Sequence, residues 1–257
     1  MTQSSLRPLA EGALMAALAV MLGLAGFYLP VLGMVATIVG PVPIVVAYLR
    51  QGPRTAVLAA AVAALLLGIF LGAIQALIMG FAFGSLGLAL GRGFSRQAPA
   101  STTVLWAGLA VACATTVSAG LGFLFLHINP LDTVEQLLAA YERAPEIWAR
   151  LGVGGQMLEQ MKAMTGAMRQ FFWLAWPAAM AGGVLGAAAI NWAVARSILR
   201  RLGYQVTSAA PFVQWRLPRW VLIPLAVGMA LMVARPHYGP EWLYRLGFNL
   251  YLVFSWA

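Results

Sequence analysis

Charged residues are scarce in this chain: Asp, Glu, Lys and Arg make up 9% of its 257 residues. Soluble globular domains carry about a quarter. No Asp, Glu, Lys or Arg occurs between Gly12 and Leu49, or between Thr55 and Gly91. Because 62% of the residues are also hydrophobic, the composition excludes an ordinary soluble domain.

Cysteine and lysine are almost missing as well. The only cysteine, Cys113, excludes a disulfide framework and any multi-cysteine zinc or iron–sulfur site. The only lysine, Lys162, lies in no G-x-x-x-x-G-K-[ST] loop, so the chain carries no P-loop for ATP. The neutral tracts are continuously apolar, whereas strands of a membrane barrel alternate apolar and polar residues. Membrane-spanning helices are therefore favoured.

Each neutral tract is long enough for two membrane helices. As one rod it would extend roughly 55 Å, nearly twice the roughly 30 Å hydrocarbon core, so it must fold back as a hairpin. The sequence thus predicts an all-α fold, a polytopic helical membrane protein. About eight spans are expected, at 10–28, 31–49, 55–71, 73–91, 103–126, 171–195, 220–234 and 242–257.

Prolines interrupt several of these spans. The segment Gly40-Pro41-Val42-Pro43 should break or kink the second span, because two prolines remove two backbone donors. Pro177 lies inside the sixth span and Pro224 inside the seventh. The last span still continues at Ala257, so we expect the native protein to be longer.

Alternate connections between the predicted spans collect most of the arginines. One side of the membrane receives a single acid, Glu11, and Arg7, Arg50, Arg54, Arg92, Arg96, Arg196, Arg200, Arg201, Arg216 and Arg219. By the positive-inside rule this side is cytoplasmic. We expect a cytoplasmic amino terminus and an outer 127–170 insertion. Glu11 either pairs with Arg7 four residues before it, the favoured interpretation, or has a proton-transfer or partner-binding role.

The outer insertion is expected to be helical. Asp132 and Glu135 resemble a capping box before one short helix, and Pro145 can open a second. Glycines near 152–155 then break the chain. A third helix, leading into span six, carries a methionine stripe: Met157, Met161, Met164 and Met168. Packing explains that stripe better than binding of a soft cation such as Cu(I) does.

Catalytic signatures are weak. Ser85 lies in Gly84-Ser85-Leu86-Gly87, but Phe83 stands where a nucleophile elbow needs its first glycine, and span four offers no base. A serine that lets helices approach is the better interpretation. We therefore predict no catalytic residue, no metal site, no cofactor and no enzymatic activity.

Discontinuous helices can open a pocket in a helical bundle. The polar and aromatic residues near the predicted outer ends of the spans are the candidates for lining a small-molecule site. An aromatic belt at the membrane interface explains the aromatic ones equally well. The candidate ligand-binding residues are Tyr28, Gln75, His127, Trp173 and Trp176.

Small residues spaced four apart predict close helix contacts, because they let backbones approach in lipid. Ala13 and Ala17 on span one, beside Gly12 and Ala16, could face another subunit rather than this chain's own bundle. The glycine pairs with this spacing are Gly68 and Gly72, Gly80 and Gly84, Gly87 and Gly91, and Gly182 and Gly186.

Two regions carry a family resemblance. The first is E-G-A-L-M-A-A-L at 11–18 through G-P-V-P at 40–43 to L-R-Q-G at 49–52, and the second is P-F-V-Q-W-R-L-P-R at 211–219. Both resemble the YybS-like family, bacterial membrane proteins of uncharacterised function. The first half is also similar to the S components of energy-coupling-factor (ECF) vitamin transporters. The large outer insertion and two extra carboxy-terminal spans depart from the S-component pattern.

That resemblance implies a six-helix bundle over residues 1–195. The span pattern and the charge pattern predict a basic cytoplasmic connection at 196–219 and two further spans at 220–257 after it. The resemblance also implies a bacterial inner-membrane protein that captures a small solute on the outer side. Ala13 and Ala17 would dock onto a T component driven by paired ATPases. A non-transport scaffold or regulator, acting through the basic connection or the outer insertion, is the alternative. The expected partners include the lipid bilayer and exclude nucleic acid.

Overall fold

The computed structural model describes residues 3–127, 129–150, 152, 154–206, 222–238 and 241–255. The segment 211–219 that carries part of the family resemblance lies outside the described residues, as does the side chain of Arg7. The described residues form helices and no strand. The helices are α1 (Gln3–Tyr28), α2 (Pro30–Val39), α3 (Val42–Gln51), α4 (Pro53–Leu71), α5 (Ala73–Ser95), α6 (Ala100–Leu126), α7 (Pro130–Arg150), α8 (Gln156–Arg201), α9 (Leu222–Tyr238) and α10 (Glu241–Ser255).

Six helical segments among the described residues are long and apolar enough to cross a membrane. They are Pro8–Tyr28, Gly33–Gln51, Pro53–Leu71, Ala73–Ser95, Ala100–Phe125 and Gln156–Arg201. They coincide with the first six predicted spans. The helices α9 and α10 are shorter, with 17 and 15 residues, whereas about 20 residues cross the hydrocarbon core. The described residues are thus all-helical and contain six apolar candidate spans.

The proline pair divides the second span into α2 and α3 without reversing it. Gly40 and Pro41 keep right-handed helical backbone angles, with φ of −49° and −69°. The Gly40 N–H still bonds the Ala36 carbonyl at 2.8 Å, and the Val45 N–H bonds the Pro41 carbonyl at 3.1 Å. The two prolines therefore interrupt the hydrogen-bond ladder, as expected, while the helix direction continues.

The chain divides into two compact units. Unit 1 comprises residues 1–127 and 184–210, and unit 2 comprises residues 128–183 and 211–257. Unit 1 thus contains α1 to α6 and the carboxy-terminal part of α8. Its core consists of two apolar clusters, and α3 contributes to both, with Val45 in one and Ile44 in the other. The broken span is therefore the buried centre of unit 1.

Glycines let α5 pack closely on its neighbours in unit 1. A Cβ at Gly87 would lie 2.7 Å from the Cβ of Ile44 and 3.0 Å from the Pro41 carbonyl oxygen. A Cβ at Gly91 would lie 2.7 Å from the Cβ of Tyr48. The predicted close contact at Gly87 and Gly91 is confirmed. At Gly186, by contrast, a Cβ would meet no atom of the described residues within 4 Å.

Unit 2 contains α7, the amino-terminal part of α8, α9 and α10. The prediction that Pro145 opens a second helix is wrong, because Pro145 lies inside the single helix α7. A proline inside a helix removes one backbone hydrogen bond, and this proline is fully buried. The capping-box prediction is also wrong, since α7 begins at Pro130 and Asp132 lies in its first turn.

The last two helices cross at a pair of glycines. A Cβ at Gly228 of α9 would lie 2.8 Å from the Gly247 carbonyl oxygen, and one at Gly247 of α10 would lie 2.7 Å from the Gly228 carbonyl oxygen. Any side chain at either position would meet backbone. The two glycines therefore set the spacing of the α9–α10 hairpin.

Candidate functional site

Three of the predicted pocket residues lie at the end of unit 1 opposite its arginines. Tyr28 ends α1 and is 61% exposed. Gln75 lies in the first turn of α5 and is half-buried, and His127 follows α6 with a left-handed backbone, φ 55°, and an exposed side chain. The order of the helices brings the three to one end. No hydrogen bond or ring contact joins them within the described part of the chain.

The other two predicted pocket residues lie in unit 2. Trp173 and Trp176 are half-buried on α8. The ring of Phe172 lies 6.0 Å from the Trp173 ring, edge to face, and 4.9 Å from the Trp176 ring. Phe172 thus links the two tryptophans into one aromatic cluster along this segment of α8.

A void inside unit 1 is too small and too apolar for a solute. Its volume is about 10 Å³, room for about one water molecule. The lining side chains belong to α1, α3, α4 and α5: Ala19, Ile44, Ala60, Ala63, Ala64, Leu67, Met79, Gly80, Phe83 and Gly84. None of the predicted pocket residues lines it. It is a packing gap between small residues.

The proline break in α8 is occupied by a side chain of α10. The Oδ1 atom of Asn249 accepts a hydrogen bond from the Ala178 N–H at 2.9 Å, and its Nδ2 donates to the Leu174 carbonyl at 2.7 Å. A regular helix pairs these two backbone groups with each other. Pro177 lies between them and has no N–H. The amide of Asn249 therefore bridges the helix step that the proline disturbs.

The sequence did not predict that Asn249 would bond the backbone beside Pro177. The expectations based on sequence place a pocket at the Pro177 discontinuity, and the structure instead fills that discontinuity with an amide. The signal in the sequence is the position of this Asn in the apolar helix α10. An amide side chain in an apolar helix is stabilised by a hydrogen-bond partner. A proline in a neighbouring helix leaves backbone groups unpaired that can bond that amide.

A second polar contact in unit 2 ties α7 to α8. Arg169 on α8 donates through Nη1 to both carboxylate oxygens of Glu142, at 3.0 and 3.1 Å, and through Nη2 to Glu135 Oε2 at 2.7 Å. Glu135 and Glu142 are seven residues apart and so share one face of α7. The side chains of Arg169, Glu135 and Glu142 remain 39%, 46% and 38% exposed, so one arginine holds both acids on a solvent-accessible face of α7.

Removing this contact should loosen α7. We expect Arg169→Gln to speed cleavage of α7 by an added protease about tenfold at low salt, because the glutamates lose their shared partner. High salt should reduce the difference by screening the wild-type contact. Limited proteolysis of the purified full chain measures this, with the exposed Arg150→Gln as control. Equal cleavage rates for both variants would contradict the assignment.

At the end of unit 1 that lies away from Tyr28, Gln75 and His127, a polar network joins α1, α3 and the segment after α8. Glu11 Oε2 accepts a hydrogen bond from Gln51 Nε2 at 2.8 Å and lies 4.0 Å from Arg50 Nη1. Arg50 Nε donates to the Tyr204 hydroxyl at 2.7 Å. Gln97 Nε2 donates to the Gln205 carbonyl at 2.8 Å. The arginine-bearing helix ends of unit 1 therefore meet on one side, where the charge pattern predicts the cytoplasm.

The two small-residue strips of α1 differ in exposure. Gly12 and Ala16 are buried, and a Cβ at Gly12 would lie 2.8 Å from the Thr55 Cγ2 atom of α4. Ala13 and Ala17 are exposed. The exposed strip forms a shallow surface on α1, flanked by the exposed side chains of Leu9, Leu14 and Met21.

The remaining motif residues make ordinary helix contacts. Ser85 Oγ donates to the Phe81 carbonyl of its own helix and lies 3.4 Å from the Ala110 carbonyl of α6. Met157, Met164 and Met168 of the methionine stripe are exposed on α8, whereas Met161 is half-buried.

Comparison with known proteins places these features in a family. Residues 17–257 match the family described as "Predicted membrane protein (DUF2232)". The chain is also 24% identical over 244 residues to the "Uncharacterized protein YybS" of Bacillus subtilis (strain 168), covering 95% of this chain and 78% of that one. No solved structure matches. Since the family match covers nearly the whole chain, the protein belongs to the DUF2232 family of predicted membrane proteins.

Proposed function

We propose that this protein is a non-enzymatic, S-component-like subunit of a bacterial inner-membrane transporter, with a cytoplasmic amino terminus and two further spans formed by α9 and α10. Unit 1 would be the six-span bundle. Its partners would be a T component and paired ATPases, docked on the exposed Ala13 and Ala17 strip of α1. A small solute would be captured at the opposite end.

The observation that carries the proposal is the division of α1 into two faces. Gly12 and Ala16 already serve contacts inside unit 1, so Ala13 and Ala17 are not needed for its packing. Small exposed residues at this spacing let a second helix approach closely in lipid. The face is thus suited to a membrane partner.

Solute capture would depend on the helix ends of unit 1 that carry Tyr28, Gln75 and His127. The apolar void inside unit 1 is too small for a solute, so binding would occur at the open end of the helices. Aromatic and amide side chains suit a small, partly polar solute.

The docking face is tested by bulky substitution. We expect Ala13→Leu with Ala17→Leu to reduce the yield of co-purifying membrane and ATPase subunits more than about tenfold, because the leucines prevent close helix approach. Quantitative mass spectrometry of affinity-purified full-length protein from native membranes gives the yield. Ala61→Leu, on the exposed face of α4, is the matched control. An unchanged yield in the double variant would contradict the docking face.

The same preparation tests solute capture. Native mass spectrometry of the wild-type protein should detect a retained small molecule, and Gln75→Leu should release it while the helical circular dichroism stays unchanged. Co-purification of envelope or division proteins in place of ATPases would favour the alternative, a scaffold or regulator acting through the 196–219 connection or the outer insertion.

A further inference from the structure

A basic cleft lies at the carboxy-terminal end of α8 in unit 1. It is open to solvent and is bordered by four residues of α8 alone, Arg196, Ser197, Arg200 and Arg201. These positions share one side of the helix. Arg200 and Arg201 are exposed, and the guanidinium carbon of Arg196 lies 5.6 Å from the ring centroid of Trp192. The cleft therefore presents arginine side chains and a hydroxyl group on one helical turn.

The charge of unit 1 is strongly unbalanced at this end. Its residues include one acid, Glu11, against Arg7, Arg50, Arg54, Arg92, Arg96, Arg196, Arg200 and Arg201. Glu11 already bonds Gln51 and lies near Arg50. The carbonyl end of a helix supplies only about half a negative charge. Carboxylates of unit 1 therefore cannot neutralise the cleft, and an anion from outside unit 1 fits it.

The position of the cleft identifies the class of anion. The cleft lies at the carboxy-terminal end of Gln156–Arg201, a helix long and apolar enough to cross a membrane. The buried Trp192, in the core of unit 1, lies one turn before it. The arginines therefore lie at headgroup depth, where anionic lipids supply phosphate groups.

We propose that this cleft binds the phosphate of an anionic phospholipid headgroup. Arg200 and Arg201 bind the phosphate oxygens through charge-assisted hydrogen bonds, and the Ser197 hydroxyl donates a further one. Arg196 remains stacked on Trp192 and adds positive charge. Because Tyr204 follows three residues after Arg201 and bonds Arg50, the lipid would also hold the end of α8 against α3.

The experiment compares lipids on the full-length protein in neutral detergent. Phosphatidylglycerol is titrated while native mass spectrometry counts retained lipid, with phosphatidylcholine and inorganic phosphate as parallel ligands. We expect Arg200→Gln with Arg201→Gln to weaken phosphatidylglycerol binding about 30-fold, from the loss of two arginines at an anionic surface. Wild-type protein should prefer phosphatidylglycerol to phosphatidylcholine.

The matched control is Arg54→Gln with Arg96→Gln. It removes the same charge from exposed positions at the same end of unit 1 but outside the cleft. We expect less than about threefold weakening, since screening reduces the effect of distant exposed charges. An equal loss in both double variants would show a general charge effect and overturn the proposal. Inorganic phosphate binding as tightly as the lipid would overturn it as well.

Discussion

Replacement of Gly87 by leucine should lower the free energy of unfolding by about 4 kcal/mol, because it forces a side chain into a helix contact that has no room. A Cβ alone would lie 2.7 Å from the Cβ of Ile44 and 3.0 Å from the Pro41 carbonyl oxygen. Those atoms belong to the buried centre of unit 1 and to the proline break, so neither atom can shift without disturbing the packing around it. Thermal unfolding in detergent, followed by circular dichroism, measures the loss.

Gly120→Leu is the matched control for this substitution. Gly120 lies inside α6, as Gly87 lies inside α5, but a Cβ there would meet none of the described atoms within 4 Å. Leucine forms helices better than glycine by nearly 1 kcal/mol, so this variant should be as stable as the wild type or slightly more so. If both variants unfolded at the same temperature, the claim that the close contact between α3 and α5 requires glycine at position 87 would be wrong.

The substitution Asn249→Leu should lower the free energy of unfolding by about 3 kcal/mol, since a buried group left without its partner costs about 1–3 kcal/mol. It removes both hydrogen bonds that the amide makes to the Leu174 carbonyl and the Ala178 N–H of α8. Leucine is similar in size, so packing changes little. Thermal unfolding of the full chain in detergent again gives the measurement.

Two further variants make this prediction specific. Asn191→Leu applies the same change on α8, but Asn191 Nδ2 bonds only the Ala187 carbonyl of its own helix and its buried Oδ1 has no hydrogen-bond partner among the described residues. We expect no loss of stability there. In a Pro177→Ala background, α8 can close its own ladder, and Asn249→Leu should then cost much less. An equal cost in both backgrounds would refute the role of Asn249 at the proline break.

The features that depend on composition were predictable from the sequence. A helix in lipid must satisfy its backbone groups internally, so long neutral tracts indicate spanning helices, and six such segments occur among the described residues. The interruption at Pro41 and Pro43 also follows from local chemistry, because proline has no N–H to donate. Pro145 shows the limit of that argument, because α7 continues through this buried proline.

Long-range partners were not predictable, because the sequence does not state which helix faces lie together. The sequence placed Arg169 and Asn249 on helices, but only the tertiary structure brings Arg169 to Glu135 and Glu142, and Asn249 to the break at Pro177. The same holds for the two strips of α1, which are chemically alike in sequence and differ only in what packs against them.

By itself the sequence indicated apolar helices and predicted that most of the arginines lie on one side of the membrane, because hydrophobicity and charge act on each segment separately. The tertiary structure alone decided which small residues are buried, which polar groups pair and which face of α1 stays exposed. Those outcomes depend on the close approach of helices that are distant in the chain, and hydrogen bonds in a low-dielectric interior form only where that approach allows them.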